Sequence, residues 1–129
     1  MASSASKVTA LMQVAITVTD VERATAFYRD AVGLPFLFSA GPRLAFLDAG
    51  GTRLMLSAPE PGFQPGTGTV LYYRVDDIES AHREMAARGV AFVAPPHRIA
   101  QMPTHDLWLA EFRDPDENVA ALMCELPKA

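Results

Sequence analysis

Residues 14–18, Val-Ala-Ile-Thr-Val, run into Asp20-Val21-Glu22-Arg23-Ala24, and this stretch decides the fold because it occurs twice. Its second copy lies where residues 71–75 run into Asp77-Ile78-Glu79-Ser80-Ala81, and the shift from Asp20 to Asp77 is called the first offset. A further echo pairs Phe46-Leu47-Asp48 and residues 54–56 with Phe112-Arg113-Asp114 and residues 120–122, and the shift from Phe46 to Phe112 is called the second offset. Such a repeat predicts two copies of one supersecondary unit that bury their apolar faces together.

The first copy is predicted to run strand, helix and three strands. Residues 11–19 are rich in Val, Ile and Thr, which favours a strand. Asp20 then stands where a helix N-cap belongs, and Gly33 is expected to end that helix. Short strands are predicted at residues 35–39, 44–48 and 53–57.

The second copy follows the same order after a linker rich in Pro and Gly, residues 59–68. Its first strand is predicted at residues 69–75, with Asp76 or Asp77 as the cap of a helix over residues 78–88. Further strands are predicted at residues 90–94, 107–113 and 119–125, and an irregular segment is expected at residues 97–106.

These patterns predict an α+β fold in which two βαβββ units form a cupped, barrel-like mixed sheet with the helices outside. We expect one domain over residues 11–126, made of repeats at 11–58 and 69–126. Residues 1–10 are expected to be a flexible N-terminal tail.

The bulk composition argues against several classes of function. A net charge of −4 over 129 residues argues against binding of nucleic acid. No apolar run approaches the roughly 20 residues that a membrane span needs. The single cysteine, Cys124, excludes an intrachain disulfide and fits a cytoplasmic protein.

The chain resembles the vicinal oxygen chelate superfamily, which includes glyoxalase I, extradiol dioxygenases and bleomycin resistance proteins. The resemblance depends on residues 20–28 (Asp-Val-Glu-Arg-Ala-Thr-Ala-Phe-Tyr), on Val32-Gly33-Leu34, on Val75-Asp76-Asp77-Ile78 and Arg88-Gly89-Val90, and on Asp114-Pro115-Asp116 with Asn118. Glu117 stands where the family normally has glycine after Asp-Pro-Asp.

The resemblance implies a divalent metal held by four side chains on the cupped face, usually His, Gln or Glu. The repeat offsets place these positions at Gln13, Met55, Val70 and Ala121. Val70 and Ala121 have no donor atom, and a thioether is a poor ligand for hard or borderline ions. We therefore predict no metal and no cofactor at this location.

Strand alternation places a mixed set of side chains on the cupped face instead. The predicted ligand-binding residues are Gln13, Thr17, Arg53, Met55, Tyr72, Arg74, Glu111 and Ala121. Arg53 and Arg74 suit a carboxylate or phosphate on a small organic ligand. The alternative is that either arginine pairs with Glu111 to neutralise buried charge.

Three functions follow from this set. The first is a metal-free protein that binds or sequesters a polar or anionic organic molecule, working as a homodimer. The second is an enzyme of the same superfamily in which Glu111, His105 or Tyr72 supplies acid–base chemistry, with His105 oriented by Asp106. The third is an enzyme with a relocated metal, whose candidate ligands are His97, His105, Asp106 and Glu111.

Overall fold

The computed structural model describes residue 7 and residues 10–62, 64–66 and 69–128. The predicted tail therefore lies almost entirely outside the described residues, and so do residues 63, 67 and 68 of the predicted linker. None of the described helices is long and apolar enough to cross a membrane.

The first half of the chain forms a four-stranded sheet covered by one helix. Its elements are β1 (Gln13–Thr17), α1 (Val21–Ala26) with a π-helical continuation (Phe27–Val32), β2 (Phe36–Ser39), β3 (Leu44–Ala49) and β4 (Thr52–Ser57). The strand order is β1-β4-β3-β2, in which β1 runs parallel to β4 and the other neighbours are antiparallel.

The second half repeats this plan with one additional strand. Its elements are β5 (Leu71–Arg74), α2 (Ile78–Ala87), β6 (Ala91–Phe92), β7 (His97–Gln101), β8 (His105–Arg113) and β9 (Val119–Pro127). The strand order is β5-β9-β8-β6, and β7 pairs with β8 beside β6. The predicted α+β class, with two cupped mixed sheets, is confirmed; the sheets curl without closing into a barrel.

Both helices begin at the aspartates that the sequence indicated. The side chain of Asp20 accepts a hydrogen bond from the backbone N–H of Arg23, and that of Asp77 accepts one from Ser80. Helix α1 and its π-helical continuation end at Gly33, whose φ of 97° is in the left-handed region that glycine adopts without strain. The first helix has one residue more between cap and glycine than the second, and a π turn absorbs it.

Strand pairing follows a matching register in both halves. Ala15 pairs with Met55 in the first sheet, and Tyr72 pairs with Ala121 in the second, which agrees with the first and second offsets. The second offset is wrong for β3, however. Met55 faces Phe46 across the hairpin, whereas Ala121 faces Glu111, because the turn after β8 is longer than the turn after β3.

The segment over residues 97–106 is not irregular, contrary to the prediction. Residues His97–Gln101 form β7, and β8 begins at His105, so most of the segment belongs to an antiparallel pair. The strand predicted at residues 90–94 is correspondingly short and covers only Ala91–Phe92. The Pro95-Pro96 pair interrupts the edge of the sheet between β6 and β7 without ending it.

Two apolar cores lie on the helix side of the sheets. One is built around Leu47, Leu54 and Leu56 of the first sheet, and the other around Phe112 and Leu122 of the second. Phe27 and Val32, in the π-helical segment, pack against both cores. The first helix therefore packs against both halves. In each strand, the side chains that alternate with these core residues face the cup.

Candidate functional site

The predicted ligand-binding side chains occupy neighbouring rows of the two sheets. In the first sheet Gln13 lies beside Arg53, and Met55 lies on the next row beside Ala15. In the second sheet Tyr72, Ala121 and Glu111 form one row, and Arg74 with Met123 forms the next. The alternation of each strand puts all of these side chains on the face away from the helices.

Gln13 is already engaged on both sides of its amide. Its Oε1 accepts a hydrogen bond of 3.0 Å from Nε of Arg53, and its Nε2 lies 3.6 Å from Sδ of Met55. Gln13 and Met55, two of the four positions at which the resemblance implies metal ligands, thus contact each other. The residues present do not fit a divalent ion, because the one amide oxygen among the four positions already accepts from a cation.

The relocated metal set does not come together either. Among the residues that the structure describes, no three His, Cys, Asp or Glu side chains lie close enough to share a metal ion. Asp106 faces Arg98 and Lys128, with N···O distances of 3.7 and 3.8 Å. A metal centre built on His97, His105, Asp106 and Glu111 is therefore not supported by these positions.

His105 and Asp106 do not form the predicted proton-transfer pair. Because they are consecutive residues of β8, their side chains project to opposite faces of the sheet. His105 instead places Nε2 2.9 Å from Oε2 of Glu125, and its Nδ1 lies 3.1 Å from the hydroxyl of Thr104. This prediction was wrong because alternation along a continuous strand separates neighbours in sequence.

Glu111 is half-buried and makes no ion pair among the described residues. The sequence left open whether Arg53 or Arg74 neutralises it. Neither does: Arg53 donates to Gln13, and Arg74 makes no hydrogen bond or ion pair within the described part of the chain.

A groove of about 690 Å³ opens between the edge strands β1 and β5. Three of the eight predicted ligand-binding residues border it, namely Arg53, Tyr72 and Arg74. Gln13, Thr17, Met55, Glu111 and Ala121 are not among its lining residues. The rest of its wall comes from the end of the first helix, the β3–β4 turn, and apolar side chains on the helix side: Leu11, Val14, Val32, Gly33, Leu34, Ala49, Gly50, Thr52, Leu54, Leu71, Tyr73, Val75, Met85 and Leu122.

The charged side chains that line this groove are all positive. Its described lining includes two arginines and neither Asp nor Glu. Arg53 is held at Nε by Gln13, and its two terminal nitrogens can donate in the forked geometry that suits a carboxylate. Tyr72, 53% exposed, adds a phenol ring at the entrance.

A buried polar network closes the opposite side of the molecule, where the turn after β8 meets β1. The hydroxyl of Tyr28 donates to Oδ2 of Asp114 over 2.7 Å, and Nδ2 of Asn118 donates to the same oxygen and to the carbonyl of Thr17. Asp116 accepts from the backbone N–H and the hydroxyl of Thr19. We call this set, Tyr28, Asp114, Asp116, Asn118, Thr17 and Thr19, the closed junction.

Burial raises the pKa of two tyrosines, Tyr28 of the closed junction and Tyr73 of β5. Desolvation, together with the neighbouring Asp114 carboxylate, raises the pKa of Tyr28 far above its usual value. Burial and the same carboxylate also raise the pKa of Tyr73, whose hydroxyl is buried without a hydrogen-bond partner among the described residues. Both phenols therefore stay neutral at neutral pH.

The groove occupies the position in the repeat that corresponds to the closed junction. By the register of the two halves, Met85 corresponds to Tyr28, Ala49 to Asp114 and Thr52 to Asn118, while Arg74 corresponds to Thr17. All four of these counterparts line the groove. We call this set, Met85, Ala49, Thr52 and Arg74, the open junction. Sequence reasoning missed it, although the first offset already aligned Tyr28 with Met85.

Comparison with known proteins agrees with this architecture. A family model described as the Glyoxalase/Bleomycin resistance protein/Dioxygenase superfamily matches residues 10–122. A solved member of this superfamily from Sphaerobacter thermophilus DSM 20745 is 26% identical, with a TM-score of 0.78, and the match covers 92% of this chain and 98% of that one.

Two further solved structures are proteins with different described functions. TnmS3, described as an antibiotic binding protein from Streptomyces sp. CB03234, is 28% identical with a TM-score of 0.73, over 94% of this chain and 98% of that chain. A lactoylglutathione lyase from Agrobacterium tumefaciens has a TM-score of 0.73 over 92% and 95% of the two chains. At 21% identity, the likeness to the lyase shows the fold alone.

Proposed function

Because the chain belongs to the glyoxalase/bleomycin resistance protein/dioxygenase superfamily, we propose that it is a metal-independent protein that binds a small organic molecule with an anionic or polar head. The head binds at the entrance of the groove between β1 and β5. The observation that carries this proposal is the pair Arg53 and Arg74 on a groove whose described lining has no carboxylate.

The two arginines have different roles in this proposal. Arg53 is pre-oriented by its hydrogen bond to Gln13, so little side-chain entropy is lost when its terminal nitrogens bind an anion. Arg74 is exposed and makes no hydrogen bond within the described residues, so it moves onto the ligand. A fixed cation thus supplies the positive charge that the resemblance assigns to a divalent ion.

The antibiotic-binding description of the Streptomyces relative supports binding rather than turnover as the first hypothesis. The volume of the groove, about 690 Å³, is within the range of small-molecule sites. His105, one of the three candidate acid–base residues, is not among the described residues that line the groove.

Calorimetric titration with 1-naphthoate and its neutral counterpart 1-naphthamide tests this proposal. We expect the carboxylate to bind at least about tenfold more tightly, and Arg74→Ala to remove about 1.5 kcal/mol of that binding, since a charged hydrogen-bond partner is lost. Arg83→Ala, an exposed arginine of α2 outside the groove, is the matched control and leaves affinity unchanged.

Two results would contradict the proposal. Equal affinity for the amide and the carboxylate would remove the role of the arginines. Loss of binding after treatment with a chelator, restored by Zn²⁺ or Ni²⁺, would show that a metal is required after all.

A homodimer is part of this proposal. Strand β2 forms the free edge of the first sheet, and its residues Phe36, Leu37 and Phe38 are each more than 40% exposed. An apolar edge strand of this kind is a template for pairing with another chain. Light scattering should give twice the monomer mass, and Leu37→Lys should return the protein to the monomer mass.

A further inference from the structure

The groove at the open junction continues behind Arg53 and Arg74 to Met85 and Ala49. At the closed junction the corresponding space holds the Tyr28 ring and the Asp114 carboxylate. At the open junction the same positions hold Met85 and Ala49, which line the groove and cannot form the hydrogen bond that joins Tyr28 to Asp114.

The inner wall of the groove is apolar. Half-buried Val14, Val32 and Leu71 line it. Below them Leu54, Leu122 and Met85, each at most 3% exposed, form its floor. These residues come from both halves of the chain, so anything bound there contacts both. The half-buried side chains gain free energy when a bound apolar group removes their remaining surface from water.

We propose that the ligand is amphipathic, with an acidic head at Arg53 and Arg74 and an apolar tail inserted between the sheets as far as Met85. This inference rests on the proposed function and adds the chemical class of the ligand. The tail joins the two halves at the open junction, as the bond between Tyr28 and Asp114 does at the closed one. The tail lies on the helix side of the strands, whereas Arg53 and Arg74, which bind the head, lie on the cup side, where Arg53 is bonded to one of the implied metal positions, Gln13.

A small molecule suits this groove better than a second copy of the chain. The entrance is cationic, with no carboxylate among its described lining residues, whereas the protein as a whole has a net charge of −4. A long-chain or aromatic acid matches both the cationic entrance and the apolar interior.

The experiment is a chain-length series of straight-chain carboxylates, from hexanoate to dodecanoate, titrated calorimetrically into the intact protein. Each added methylene should tighten binding about fourfold until the groove is filled, because each one leaves water for an apolar wall. Arg74→Ala should weaken every member by the same factor and leave this dependence on length unchanged.

The matched variant rebuilds a closed junction inside the groove. Met85→Tyr combined with Ala49→Asp places the residues of the closed junction at their counterparts, and we expect the affinity to become nearly independent of chain length. If this double variant does not fold by circular dichroism, Ala49→Leu, which narrows the same groove with one half-buried side chain, replaces it.

The outcomes separate the two proposals. Binding that is tight but independent of chain length in the wild-type protein would overturn the tail and leave the arginine site intact. Absence of saturable binding by any of these acids or by 1-naphthoate would overturn both. A change in sedimentation mass caused by Ala49→Leu or by the double variant would show that the groove is a subunit interface, which also overturns the tail.

Discussion

The closed and open junctions occupy corresponding positions in the two halves of the chain, yet they have opposite chemistry. At the closed junction, Asp114 accepts four hydrogen bonds and is 5% exposed, so a buried polar group joins the two halves. At the open junction, Arg74 makes no hydrogen bond among the described residues and the wall behind it is apolar. A repeated fold can thus use one junction for stability and leave the other for a ligand.

This difference also explains why the open junction can contain a groove whereas the closed junction cannot. The carboxylate of Asp114 accepts from two backbone N–H groups of its own turn, and buried polar groups of this kind are costly to leave unpaired. Met85 and Ala49 carry no charged or strongly polar group that would need a hydrogen-bond partner when buried. The open junction therefore has no comparable penalty against solvent or a ligand.

The largest expected effect is the loss of the closed junction. Asp114→Ala should destabilise the protein by about 3–4 kcal/mol, because the Tyr28 hydroxyl, the Asn118 amide and two backbone N–H groups lose their acceptor in a buried site. Urea unfolding measures it. Thr52→Ala, which changes the open-junction counterpart of Asn118, is the control and should cost less than about 1 kcal/mol. Equal costs would remove the contrast between the junctions.

An alkaline titration sharpens the same comparison. Because the pKa values of Tyr28 and Tyr73 are raised in the folded state, their stabilising contribution is complete below the unfolded value of 10.0 and is lost as the pH rises above it. The free energy of unfolding should fall by about 1.4 kcal/mol per pH unit for each tyrosine above about pH 10. Tyr28→Phe should halve this slope, and adding Tyr73→Phe should remove most of the remainder. An unchanged slope in Tyr28→Phe would contradict the assignment.

The smallest expected effect concerns the turn that carries the closed junction. Glu117 adopts a left-handed conformation with φ of 67°, which costs a non-glycine residue about 1 kcal/mol or more. Glu117→Gly should therefore stabilise the protein by about 0.5–1 kcal/mol, after the greater freedom of glycine in the unfolded chain is counted. Glu117→Ala removes the same side chain without relieving the backbone and should give no gain. A gain of equal size in both variants would show that the side chain, and not the backbone, is responsible.

Much of the fold could be predicted from local patterns. Asp20 and Asp77 cap the helices as expected, because a side-chain oxygen at that position satisfies a free N–H of the first turn. Strand β7 was missed because its sequence, His-Arg-Ile-Ala-Gln, does not alternate and follows two prolines. Its strand pairing comes from the neighbouring edge of β8, which is a tertiary contact that local propensity does not encode.

The candidate site was only partly predictable. Alternation placed Arg53, Tyr72 and Arg74 on the cup side of their strands, and these three do border the groove. It could not show that β1 and β5 stand apart, since the distance between two edge strands depends on how the helices and turns pack between them. The sequence match between Phe46 and Phe112 gave a wrong alignment of β3 with β8, in which Phe46 in fact corresponds to Glu111. A hairpin turn of different length shifts the register of the strands without changing the sequence motif.

The long sequence separation of the closed junction has a consequence for folding kinetics. Tyr28 and Asp114 are 86 residues apart, and Thr17 and Asn118 are 101 apart. We therefore expect these bonds to form after each half has organised its own sheet. On this expectation the two halves dock late, after the transition state. Mutations at the interface should accelerate unfolding and leave the refolding rate nearly unchanged, so that the lifetime of the native state is set where the halves meet.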